Sequence, residues 1–293
     1  MEVRDVQVLS ETVWRERAAA HAARVDRYLA PHLQRRSAGL KHPVFDFLFT
    51  YYSFRPSQLR RWTPGFGQDP AVTAEYVAER APLIRSLHRL LTATAGRTGH
   101  FGCFGLHEWA MVYRLTEDET RHADWPLRLG PAGTDAVVEQ HRIACSHFDA
   151  YRFFTEPARP LNTLSPGRDD RPSYEQPACL HAGMDLYKHA FRLSPMVPSD
   201  LVADCFELAW DIRVMDMRAA PYDLAELGFD PVRIETPEGK AEYVAAQRAF
   251  AERGAPLRKR LIEECERLLT DRTARLRPQS DPRDAMTPYP PKA

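Results

Sequence analysis

The sequence lacks most of the features that announce a function. Its 293 residues include five cysteines, Cys103, Cys145, Cys179, Cys205 and Cys265, an odd number with no CxxC pair. That pattern excludes a disulfide framework and a zinc ribbon, and it predicts reduced thiols. No stretch approaches the ~18 uninterrupted apolar residues of a membrane span, and the first residues carry no charged-then-apolar leader. A folded cytoplasmic protein with no membrane partner is the expectation. Walker, Rossmann, HExxH and GxSxG patterns are missing, which removes the usual support for phosphoryl transfer, dinucleotide binding, zincin proteolysis and α/β-hydrolase chemistry. Neither sign of charge is in excess, since 40 Lys+Arg face 40 Asp+Glu. Nucleic-acid binders usually carry a basic surplus. The nearest thing to one is the N-terminal third, where residues 1–100 hold 15 basic and 9 acidic side chains, so DNA or another anionic partner is expected there.

What is present reads as an α+β, mostly helical single domain over 1–277, followed by a tail over 278–293 whose five prolines predict disorder. Ser10 suits the cap of a helix in which Trp14, Ala18, His21, Val25 and Tyr28 share a face, with Pro31 stopping or kinking it. Phe45, Leu48, Phe49 and Tyr52 recur at i, i+3, i+4 and i+7, which predicts a helix over 43–54 at the centre of the core. An amphipathic helix follows over 73–95, bent near Pro82, and the apolar block 103–113 is assigned to another. Short β-branched and aromatic runs over 125–155, separated by Gly130, Pro131 and Gly133, predict a small antiparallel sheet, with a helical reading of 136–154 left open. A proline-rich loop over 155–178 precedes helices at 180–193 and 200–218, the second capped by Ser199. A C-terminal α-hairpin over 237–253 and 256–275 completes the expected fold.

Five groups of residues are candidates for chemistry. His147 and Asp149 form an H-x-D pair; on a strand these project to one face, as two members of a two-His-one-carboxylate triad do, with His181 as the third ligand for Fe or Zn. His181, Asp185 and His189 follow at successive i, i+4 steps of a helix, a stripe that is exposed or purely structural unless it coordinates or hydrogen-bonds something. His107 and Glu108 sit in apolar surroundings that raise a carboxyl pKa and suit a general acid or base. Asp204, Glu207 and Asp211 align as a solvated helix face. Glu119 and His122 make the single E-x-x-H, whereas a four-helix di-iron site normally has two.

Several blocks are similar to a bacterial family labelled 3-methyladenine DNA glycosylase. They are His42-Pro-Val-Phe-Asp-Phe-Leu-Phe-Thr-Tyr-Tyr52, Gly105-Leu-His-Glu-Trp-Ala-Met-Val-Tyr113, Cys145-Ser-His-Phe-Asp-Ala-Tyr-Arg-Phe-Phe154, Leu201-Val-Ala-Asp-Cys-Phe-Glu-Leu-Ala209 and Glu235-Thr-Pro-Glu-Gly-Lys-Ala-Glu-Tyr243. The resemblance implies a DNA-repair N-glycosylase, a hydrolase without cofactor. Such an enzyme flips an alkylated purine, stacks it on aromatic side chains and hydrolyses its glycosidic bond. Glu108 and His107 would then be catalytic, and Trp109, Tyr51 and Tyr52 would meet the base. Arg55, Arg60 and Arg61 beside Trp62 would grip the backbone. Two alternatives stand beside it: a mononuclear metal enzyme on a small molecule using His147, Asp149 and His181, and a non-enzymatic helical protein that binds a ligand or partner. One cavity gathering His107, Glu108, His147, Asp149 and His181 would serve either enzymatic reading.

Overall fold

The computed structural model describes residues 9–116, 119–120 and 124–275. The proline-rich segment 278–293 and His122 of the E-x-x-H pair lie outside these residues. Helix α1 (Glu11–Ser37) starts where expected, with Ser10 Oγ accepting the Val13 N–H at 3.4 Å. It buries His21, Val25, Leu29 and His32 along one stripe. Pro31 neither stops nor ends it. The ring and the Arg27 carbonyl it deprives of a donor both lie on the exposed side, where water can replace the lost bond.

The 43–54 segment is mostly turn, with α2 (Phe47–Thr50) as its helical part. Leu48, Phe49, Tyr52 and Phe54 are nevertheless in the core and Phe45 is half-buried. Helix α3 (Pro56–Arg60) follows. The expected 73–95 helix is split into α4 (Ala74–Glu79) and α5 (Ala81–Ala95), with Pro82 in the first turn of α5, where its missing N–H costs nothing. The 103–113 block yields α6 (Leu106–Ala110), all five residues of which are buried.

The expected antiparallel sheet over 125–155 is not there. Among the described residues no β-strand occurs, only isolated bridges pairing Leu127 with Tyr222 and Ile143 with Asn162. In its place stand α7 (Gly130–Gln140) and α8 (Phe148–Tyr151). Pro131 opens α7, and Thr134, Val137 and Val138 are buried at i, i+3 and i+4, so the valines serve a helical face. Short apolar runs do not distinguish the two periods, and packing overrides the β-propensity of valine.

After α9 (Arg171–Tyr174) come the two helices at the centre, α10 (Leu180–Leu193) and α11 (Ser199–Arg218). Ser199 does not cap α11. Its Oγ accepts the Thr63 N–H at 2.9 Å and ties the 61–66 segment to the helix start. Gly183 lets α10 and α11 approach closely, because a Cβ there would stand 2.8 Å from Ile212 Cδ1. The last element, α12 (Pro237–Arg275), is one 39-residue helix where a hairpin was expected. Pro256 and Glu252 are both exposed, so the helix crosses the proline for the same reason that α1 crosses Pro31. Helix α12 lies along α5, α10 and α11 and buries Tyr243, Gln247, Arg258, Leu261, Cys265 and Leu268. None of the described helices is long and apolar enough to cross a membrane.

Candidate metal centre

Eleven of the fourteen residues of α10 are buried, so its His181, Asp185 and His189 stripe faces the interior and not solvent. Helix α11 delivers Asp216 and Arg213 from its buried side, and α6 delivers His107 and Glu108. Four of these side chains converge. One donor atom from each of His107, Glu108, His181 and Asp216 lies within 4.8 Å of all the others, and all four residues are buried. His107 Nε2 stands 3.1 Å from Asp216 Oδ1 and 3.9 Å from Glu108 Oε1. The rings of His107 and His181 meet edge-on at 4.5 Å. Arg213 Nη1 reaches Asp216 Oδ2 at 3.3 Å and Glu108 Oε1 at 3.5 Å, longer than the 2.7–2.9 Å usual for charge-assisted bonds.

The two imidazoles are shifted in opposite directions. Burial lowers the His107 pKa, but the adjoining Asp216 carboxylate outweighs it and carries it well above the ordinary value. Burial raises the Asp216 carboxyl in turn, and His107 reverses that and holds it down. His181 is lowered to about 3 by burial and by the neighbouring His107 charge. His181 is therefore a neutral imidazole with a free lone pair at physiological pH.

A second polar layer lies against the first. His147, its ring 5.4 Å from that of His181, places Nε2 3.3 Å from Asp185 Oδ2 and 3.5 Å from Glu175 Oε1. Both nitrogens of this fully buried ring lack a hydrogen-bond partner. Arg171 donates to both Glu175 and Asp185. Lys188 bridges Asp185 at 3.1 Å and Asp149 at 2.6 Å, and Tyr52 Oη donates to Asp185 at 3.2 Å. Among the described side chains of the two layers, five carboxylates (Glu108, Asp149, Glu175, Asp185, Asp216) face four permanent cations (Arg152, Arg171, Lys188, Arg213).

A cleft opens onto the cluster, lined by His181, Glu108, Arg213 and Asp149 among Phe47, Tyr51, Met111, Phe153 and Tyr222. Its free space is about 30 Å³, room for a water or two. Behind His107 and His181 is a smaller cavity lined by Cys103, Cys145 and Cys179 together with Gln176, Tyr243 and Gln247.

The structure thus brings His107, Glu108, His147, Asp149 and His181 around one centre, although they lie on separate segments. The H-x-D geometry differs from the strand reading, because His147 precedes α8 and Asp149 is in its first turn. Asp149 pairs with Lys188 and Arg152, so of the His147, Asp149 and His181 trio His181 alone enters the four-donor group. Asp216 was missed. Its signal was present, since it continues the apolar face of α11 at 205, 209, 212 and 216, and an acid on such a face must be paired or coordinated.

Other expected contact residues lie elsewhere. Trp109 is fully buried, donates Nε1–H to the Ala219 carbonyl at 2.8 Å and does not line the cleft. Tyr51 lines it, whereas Tyr52 is buried against Asp185. Arg55, Arg60 and Arg61 are exposed, but Arg60 is paired with Asp26 and Trp62 is buried edge-on against Trp14. The Asp204, Glu207 and Asp211 face is not simply solvated; it pairs with Arg24, Arg27, Arg260 and Arg253 of α1 and α12. No family model, curated protein or solved structure matches the chain.

Proposed function

We propose that this protein is a metal-dependent enzyme acting on a small molecule, with one divalent first-row metal ion held by His107, Glu108, His181 and Asp216. The observation that carries the reading is the convergence of two imidazoles and two carboxylates, all buried, within 4.8 Å of one another. Mixed histidine and carboxylate donors suit Zn, Fe or Mn. His181, held neutral, is ready to coordinate. The metal would act as a Lewis acid on whatever it binds in the cleft, and the aromatic walls would restrict water around it. The glycosylase alternative calls for a purine-sized pocket with Trp109 on its wall. A cleft from which Trp109 is absent favours the metal reading.

Elemental analysis of the purified protein tests this. About one equivalent of metal per chain is expected, falling at least about 10-fold in His181→Ala and Asp216→Asn proteins that retain their helical circular dichroism. Iron would direct the reading toward redox chemistry and zinc toward hydrolysis. Absence of metal from wild-type protein, together with failure to take up Zn, Fe or Mn from solution, would end it.

A further inference from the structure

Ligating histidines are commonly oriented through their second nitrogen, which donates to a fixed acceptor and thereby sets the tautomer and the basicity of the first. His107 directs Nε2 at Asp216 and Glu108, so its acceptor must lie on the Nδ1 side. The atom found there is the sulfur of Cys103, 3.7 Å from Nδ1, within hydrogen-bonding range for a sulfur acceptor. We infer that Cys103 is a positioning residue of the metal centre, its sulfur accepting the Nδ1–H of His107 and keeping the ring turned so that Nε2 faces the cluster. The inference rests on the metal reading above.

Two further observations support it. The backbone between Cys103 and α6 is held in an unusual conformation. Phe104 has φ 50° and Gly105 has φ 74°, two successive left-handed residues of which the first is not glycine. The Leu106 N–H closes this turn on the Cys103 carbonyl at 2.9 Å. A Cβ at Gly105 would come within 3.3 Å of Ala219 and Tyr243, so the turn is wedged between α11 and α12 and cannot relax freely. Backbone outliers of this kind persist where the surroundings impose them, often at functional sites. Here the turn places residue 103 one helical step before residue 107, with its sulfur on the ring. The second observation is position. Cys103 lines the small cavity beside His107 and meets the ring at Nδ1, whereas Asp216 and Glu108 face Nε2, so its contact with the imidazole does not obstruct the donor side.

Cys145 provides an internal control. It lines the same cavity, but its sulfur is on the His147 carbonyl at 3.7 Å and not on a ligand ring. The test is the dissociation constant for Co(II) and Zn(II), measured by chelator competition on the full chain in wild type, Cys103→Ala, Cys103→Ser and Cys145→Ala, with Co(II) absorption recorded alongside. Cys103→Ala is expected to bind about 10–100-fold more weakly and to shift the Co(II) bands. Cys103→Ser, which keeps an acceptor, should recover most of the affinity, and Cys145→Ala should match wild type. Wild-type affinity in Cys103→Ala would overturn the inference and leave the metal reading standing. Equal weakening in Cys103→Ala and Cys103→Ser would also overturn it, because size and not the acceptor would then be what matters. If wild type binds neither ion, the metal reading fails first, and the inference falls with it.

Discussion

At the scale of single residues, burial decides which side chains can touch a ligand. Trp109 looks like a stacking platform in the sequence because it follows His107 and Glu108 directly. In the fold its indole is fully enclosed, with Nε1–H on Ala219 and the Arg128 guanidinium carbon 5.1 Å from its ring centroid. Replacing it with Phe leaves the Ala219 carbonyl without its donor and removes part of a packed ring. That should cost about 1–3 kcal/mol in urea unfolding, while the metal content stays at the wild-type level. A Trp109→Phe protein with wild-type stability and lost metal would place the indole in the site after all. Arg213 shows the same principle in a charged group. It is 2 % exposed, packs 4.2 Å from the Phe47 ring centroid and keeps its charge tolerable through Asp216 and Glu108.

At the scale of elements, α11 is the organising helix, and its two faces do different work. One side carries Arg213 and Asp216 into the centre. The other presents Asp204 and Glu207 to Arg24 of α1, with Arg24 Nη2 2.8 Å from Asp204 Oδ1 and 2.6 Å from Glu207 Oε2. Burial raises the Glu207 carboxyl, but hydrogen bonds from Arg24 and Arg27 outweigh it and hold its pKa below the ordinary value. A carboxyl depressed on folding contributes stability above its unfolded pKa of about 4.3 and loses it as pH falls through the folded value. The unfolding midpoint in urea should therefore drop as pH is lowered from about 5 toward 3, and the drop should be shallower in Glu207→Gln. Identical pH profiles for the two proteins would show that this interhelical pairing contributes nothing. Partial exposure keeps the expected effect small.

At the scale of the whole molecule, the proposed centre ties three elements together, since α6, α10 and α11 each supply donors. An ion that binds the folded chain and not the unfolded one stabilises by RT ln(1 + [L]/Kd), about 2.7 kcal/mol at a hundredfold excess over Kd. Removal of metal with a chelator should then lower the thermal midpoint by roughly 5 °C, and restoring the ion should recover it. A midpoint that ignores both treatments in wild type, and equally in His181→Ala, would argue that the cluster is a structural hydrogen-bond network.

By itself the sequence determined those elements whose periodic faces ran long enough to be read: α1 from its Ser10 cap, α10 and α11 within a residue or so, and the burial of Leu48 and Phe49. It also marked His107 and Glu108 as polar groups in apolar company and His181 as a candidate metal ligand. It could not separate strand from helix over 125–155, because four to eight apolar residues satisfy both periods. Nor could it show that α12 passes through Pro256, because the penalty for an interior proline depends on whether the orphaned carbonyl faces water. Above all, the tertiary structure alone decided which acids would meet which imidazoles. Asp216 joins His107 across 109 positions of chain, whereas Asp149, two residues from His147, turns to Lys188. Local spacing fixes the face on which a side chain leaves its helix. What it meets there is set by how α6, α10 and α11 pack, and that is a property of the assembled core.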